Sequence, residues 1–142
     1  MSKIFIDTNI FVYTLDKEEP QKRKQARKTL KRLVEGHNPV VSTQVIQEFY
    51  VVASTKLKAD RALVKTMIHN FRNMEVVNND LGLIEQAIDI SLTLQLSFWD
   101  SLIIAAAEKA NCEFVLSEDM SSGGVYRGVT VVNPLVDSSL WP

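Results

Sequence analysis

Short all-apolar runs alternate with segments of helical period from one end of this chain to the other, and no other feature restricts its fold as strongly. Ile4-Phe5-Ile6 is apolar at successive residues and stops at Asp7. A strand buried on both faces of a parallel sheet reads this way. Pro39 to Ser42, Met74 to Val77, Phe114-Val115-Leu116 and Val129 to Val132 are runs of the same kind. Between them, apolar residues recur at helical spacing. Asn9 is expected to cap a short helix running through Asp16. Pro20 opens a long helix to about Val34, and Gly36 ends it. Ser42 or Thr43 starts a helix to about Lys56; Asp60, Asp80 and Ser97 start three more, the last covering Phe98 to Asn111.

Strands that alternate with helices pair in parallel, and the crossover helices cover both faces of the sheet. The expectation is therefore an α/β domain of three layers, α/β/α, around a mostly parallel sheet of about five strands. It spans residues 1–135, with 136–142 as a tail carrying Leu140 and Trp141. Ser121-Ser122-Gly123-Gly124 reads as a turn and not as a domain boundary.

Composition narrows the function. The net charge of -1, from 16 basic and 17 acidic residues, argues against a protein that coats nucleic acid through bulk charge. A nuclease remains compatible, because metal-binding carboxylates offset basic contacts in the total. The lone Cys112 cannot form an internal disulfide, and at the end of an apolar helix it reads as a buried inert thiol. The N-terminus lacks a signal-peptide layout, and the longest apolar run, Leu102 to Ala107, is far short of a membrane span. A cytoplasmic location is expected.

Ligand sites of parallel sheets lie at the carboxyl ends of the strands. Asp7 ends the first strand, and Asp119 follows the fourth in Leu116-Ser117-Glu118-Asp119. Glu48 lies on the helix after the second strand, beside Gln44, Gln47, Val51 and Val52. Asp100 falls in the first turn of the very apolar helix that includes Ser101 to Ala107. Each acid alone has a structural reading: a cap, a turn former, a partner for the helix dipole. Together, acids after the first and fourth strands converge on one edge of such a sheet. Several carboxylates in one pocket repel each other and raise their pKa values unless a cation is present. Oxygen ligands without His or Cys suit Mg²⁺ or Mn²⁺. His37 and His69 fall in a loop and mid-helix, away from any strand end, and are expected at the surface. A hard cation that activates water and stabilises charge on a phosphoryl oxygen supplies what phosphodiester hydrolysis needs.

These residues resemble the PIN domains, a family of small metal-dependent nucleases that includes the VapC-like toxins of toxin–antitoxin pairs. The matching pieces are Ile6-Asp7-Thr8-Asn9, Gln47-Glu48, Trp99-Asp100 with Ile103-Ile104-Ala105-Ala106-Ala107, Leu116-Ser117-Glu118-Asp119 and Val131-Val132-Asn133-Pro134. Each is weak alone; their order and spacing are specific, and they cover nearly the whole chain, from Lys3 to about Leu135. The resemblance implies a Mg²⁺- or Mn²⁺-dependent endoribonuclease, often a homodimer held by an antitoxin. It implies four catalytic acids, Asp7, Glu48, Asp100 and Asp119, with Asp7, Asp100 and Asp119 on the metal. Asn9 and Ser117 would support the site. Glu118, next to Asp119, is the alternative for the fourth acid.

Lys17 to Arg32 holds half of the 16 basic residues, and Lys24, Arg27, Lys28 and Lys31 share one helical face. That face reads either as a solvated surface or as a flank that draws RNA phosphates towards the acids. Two other functions fit less of the chain. A strand-end aspartyl phosphatase would place a second acid two residues after the first, where Asn9 stands. A non-catalytic RNA- or partner-binding module would not need four acids.

Overall fold

The computed structural model describes residues 2–136. Its strands are β1 (Lys3–Ile6), β2 (Asn38–Ser42), β3 (Glu75–Val77), β4 (Phe114–Leu116), β5 (Val125–Tyr126) and β6 (Val129–Val132). They form one sheet in the order β3-β2-β1-β4-β6-β5. All neighbours pair in parallel except β5 with β6. Helices pack on both faces, giving the expected three layers.

The sheet has six strands where the sequence pattern predicts about five. The addition is β5, two residues long and joined to β6 by Arg127-Gly128. Both turn residues have positive φ, 51° and 79°, as the tightest hairpin turn requires. A two-residue strand carries no periodicity of its own to detect.

The helices are α1 (Thr8–Tyr13), α2 (Pro20–Gly36), α3 (Thr43–Val51), α4 (Arg61–Asn70), α5 (Leu81–Leu94) and α6 (Phe98–Lys109). A π-helical turn, Val52–Lys56, continues α3, and a 3-10 turn, Phe71–Asn73, continues α4. Ser42, Asp60, Asp80 and Ser97 cap α3, α4, α5 and α6 through their side chains. The first helix departs from expectation. Its cap is Asp7, whose carboxylate accepts from Thr8 N at 2.7 Å, and it ends at Tyr13 rather than Asp16. Asp7 already has the extended backbone of a cap, so the helix starts one residue after the strand and Asn9 falls inside its first turn.

Every residue of α6 from Ser101 to Ala107 is buried, which accounts for its apolar sequence. Phe11 of α1, Phe49 of α3 and Phe71 interlock edge to face, with ring centres 4.9 to 6.2 Å apart. This triangle pins α1 against α3 and so fixes Glu48 relative to Asp7. Cys112 is buried as expected, and burial pushes its thiol up to about 12. His69 is exposed and His37 half-buried. Among the described residues no single helix is long and apolar enough to cross a membrane. The expected tail, with Leu140 and Trp141, lies outside the described residues apart from Val136.

Candidate active site

The strand order turns back between β1 and β4: the chain builds outward from β1 through β2 to β3, then returns to β4 on the other side. Crevices for ligands open at such a switch point. Asp7 leaves β1 and Ser117 leaves β4 at this place. The ladder carries one step past both strands, with Asp7 N donating to Leu116 O at 2.9 Å and Ser117 N to Val132 O at 3.0 Å.

Asp7 is only 5% exposed. One carboxylate oxygen accepts from Thr8 N, and the other accepts from Ser117 Oγ at 2.8 Å. Ser117 is fully buried, and its Oγ in turn accepts from Asp119 N at 3.1 Å. One hydroxyl thus ties the acid after β1 to the acid after β4. Glu48, exposed on α3, accepts from Thr8 Oγ1 at 3.0 Å. Asp100 sits in the first turn of α6, where Ser97 Oγ accepts from its N–H at 3.1 Å.

The charges of the neighbouring acids reach both Asp7 and Asp119. Burial pushes Asp7 up to about 6, against the bonds from Ser117 and Thr8, and the charges of Asp119 and Glu48 push the same way. Asp119 is also raised, first by burial and then by the charge of Asp100, while Asn9 opposes the rise. Asp7 thus feels the charges of Asp119 and Glu48, and Asp119 that of Asp100, although separate segments supply them.

Glu118, on the same cleft wall, has partners of its own. Tyr13 Oη donates to one of its oxygens at 2.5 Å, and Lys22 Nζ to the other at 2.7 Å. Burial raises the Glu118 carboxyl, but the bonds from Lys22 and Tyr13 outweigh it and hold the group below its ordinary value. Asp119, beside it, raises Asp7 and is itself raised by the charges of Asp100 and Glu118.

An open cleft of about 560 Å³ runs past Thr8, Asn9, Glu48 and Asp119. Lys56, on the π-helical turn, is the one lysine or arginine on its wall among the described residues. Lys24, Arg27, Lys28 and Lys31 belong to α2, and none of them lines the cleft. Arg27 Nε donates to Thr14 O at 3.0 Å, so its guanidinium is partly engaged in holding the end of α1. The sequence pattern assigns no role to Thr8, Tyr13 or Lys22. Thr8 stands inside the Asp7-Thr8-Asn9 motif and is within reach of it; a partner for Lys22 96 residues away in sequence is not.

The donor set consists of hard carboxylate oxygens, with no histidine or cysteine on the cleft wall. Among the described residues no three His, Cys, Asp or Glu side chains converge closely enough to enclose one ion. Mg²⁺ fits such an arrangement, because it keeps several waters and binds through one or two carboxylates directly. The residues present therefore fit a hydrated hard cation and not an all-protein cage.

Fold and site together define a class: a parallel α/β domain with an acidic, cation-suited crevice at its switch point. The chain belongs to the PIN domain family, whose sequence model matches residues 4–121. No curated protein gives a significant match to it in sequence. Its fold is similar to a toxin–antitoxin complex from Klebsiella pneumoniae, with TM-score 0.71 at 18% identity over 92% of this chain and 97% of that one. It is also similar to VapC20 of Mycobacterium tuberculosis, a sarcin-ricin loop cleaving toxin, with TM-score 0.66, 20% identity, and 89% and 98% of the two chains covered. VapBC2 from Rickettsia felis, bound to a fragment of its promoter DNA, gives TM-score 0.66 at 14% identity over 91% and 96%.

Proposed function

We propose that this chain is a Mg²⁺- or Mn²⁺-dependent endoribonuclease that hydrolyses RNA phosphodiester bonds at the Asp7, Glu48, Asp100 and Asp119 site. The observation that carries the reading is the link at the switch point from Asp7 through Ser117 to Asp119, with Glu48 held beside it by Thr8. Asp7, Asp100 and Asp119 would hold the ion, in part through water, with Ser117 and Asn9 as supports. When bound, the cation lowers the pKa of a water and offsets charge on the phosphoryl oxygens. Ser117 fixes the Asp7 carboxylate and the Asp119 backbone in one arrangement. Glu48, steered by Thr8, would orient the attacking water and take its proton as the new P–O bond forms and the bond to the departing ribose oxygen breaks, that oxygen taking a proton from solvent. Lys56 offers the RNA backbone a cation at the cleft wall. Lys24, Arg27, Lys28 and Lys31 provide a second, more distant basic surface.

Membership of the PIN family and likeness to toxin–antitoxin complexes support a toxin held by an antitoxin, acting in the cytoplasm. A homodimer accords with the exposed Leu81, Ile88 and Leu92 on α5, an apolar stripe a second copy can cover. Incubation of a panel of single-stranded and structured RNAs with Mg²⁺, Mn²⁺ or EDTA tests the activity. Cleavage with either metal, lost in EDTA and in Asp7→Asn, is expected. Full cleavage by Asp7→Asn, or in EDTA, would overturn the assignment.

A further inference from the structure

Beside the acids lies a second pocket, of about 470 Å³, lined by Gln44, Gln47, Glu48, Val51, Val52 and Trp99. It adjoins the acidic cleft, since Glu48 and Val52 border both. Its character is different: among the described residues Glu48 is its single charged one, and the rest is apolar or amide. The Trp99 indole is 62% exposed, unusual for so large an apolar ring, and packs edge to face on Phe98 with ring centres 5.2 Å apart. That contact steadies the ring against free rotation. Gln44 is only 6% exposed. Its amide orientation follows from Nε2, which donates to Trp99 O over a long 3.4 Å. Its Oε1 is shielded and receives no hydrogen bond. A buried acceptor without a donor is costly, and Gln44 belongs to the pocket's lining.

We infer that this pocket receives an unpaired nucleobase of the substrate, stacked on Trp99 and donating from its pairing edge to Gln44 Oε1. The inference rests on the ribonuclease reading for the identity of the ligand. A phosphate is excluded by Glu48 and by the absence of a lining cation; a neutral, flat, donor-bearing group is what the walls suit. Every base carries an N–H donor on its Watson–Crick edge, and in a duplex that donor is already spent. Stacking on an aromatic ring is tolerant of base identity. The pocket therefore selects unpaired over paired nucleotides next to the scissile bond and ranks the four bases weakly.

Trp99 is its own reporter once the chain's second tryptophan is removed by Trp141→Phe. In EDTA, titration with a single-stranded oligoribonucleotide should quench the Trp99 emission. The same strand annealed to its complement, or made abasic throughout, should not. With metal, Trp99→Ala should raise KM about 10-fold or more at nearly unchanged kcat, as loss of one base stack implies. Trp99→Phe should recover most of that loss, and Gln44→Met should reduce the preference for single strands. Equal quenching by the abasic strand overturns the inference. So does metal-dependent cleavage with no quenching and an unaltered KM in Trp99→Ala, which leaves the nuclease reading intact. Quenching without any cleavage supports the pocket and overturns the nuclease reading instead. Sedimentation showing that Trp99→Ala splits a dimer, with no quenching by RNA, assigns the pocket to a second copy and refutes the base.

Discussion

Replacing Asp7 by Asn should stabilise the metal-free protein at alkaline pH and destabilise it slightly in acid. The carboxyl stands at about 6 in the fold against an ordinary value of 3.8. Below 3.8 it is protonated in both folded and unfolded chains and makes no difference. As pH rises, the unfolded chain releases the proton first, so stability falls until the folded group also ionises near 6. The gap of about two pKa units corresponds to roughly 3 kcal/mol, carried in full above neutrality. The introduced amide would keep the acceptor for Thr8 N, but its nitrogen would face Ser117 Oγ, which now donates to Asp7 and accepts from Asp119 N. One hydrogen bond, worth about 1 kcal/mol, is lost. The net expectation is a gain of about 2 kcal/mol at pH 8, or a melting temperature higher by about 4–8 °C, and a loss of about 0.5 kcal/mol near pH 4 that approaches about 1 kcal/mol below pH 3. Thermal unfolding followed by circular dichroism in EDTA across this range measures both ends. Added Mg²⁺ should then raise the wild-type melting temperature and leave the variant unmoved. A difference of constant size and sign at every pH, or a variant less stable at pH 8, refutes the account of a buried, mutually repelled carboxylate.

Ser117→Ala removes the donor to Asp7 and the acceptor for Asp119 N; a loss of about 1–3 kcal/mol is expected. Because the Ser117 bond holds Asp7 down, the alkaline fall in metal-free stability should also move above its wild-type position near 6; an unshifted curve would count against the link. Thr8→Val keeps the shape of the helix start but frees Glu48, so kcat should fall about 10-fold or more with KM and melting temperature nearly unchanged; a matched loss of stability would make Thr8 merely structural. Gly128→Ala places a Cβ at φ +79° in the β5–β6 turn, which costs about 1 kcal/mol in urea unfolding and leaves cleavage intact.

What the sequence displays and what it hides follow from the range of the forces involved. Asp7 is legible because two local signals coincide there: an all-apolar run says where the strand ends, and the parallel topology says that strand ends carry ligands. Ser97 and Asp80 are legible as caps for the same reason, since a cap acts on residues two or three positions away. Asn9 is misread as a cap because propensity ranks Asn and Asp alike, and only the backbone of Asp7, still extended, decides between them. The choice between Glu118 and Asp119 is beyond any local rule. Glu118 is held by Lys22 and Tyr13, brought up by α2 and the end of α1 across about a hundred residues of chain. The same contacts commit part of the basic run of α2 elsewhere. One of its lysines is committed to an acid, one of its arginines holds the end of α1, and the cation on the cleft wall comes from a π-helical turn that continues the helix bearing Glu48. A charge count along the sequence locates potential partners for phosphate; only the topology decides which of them the acids have already claimed.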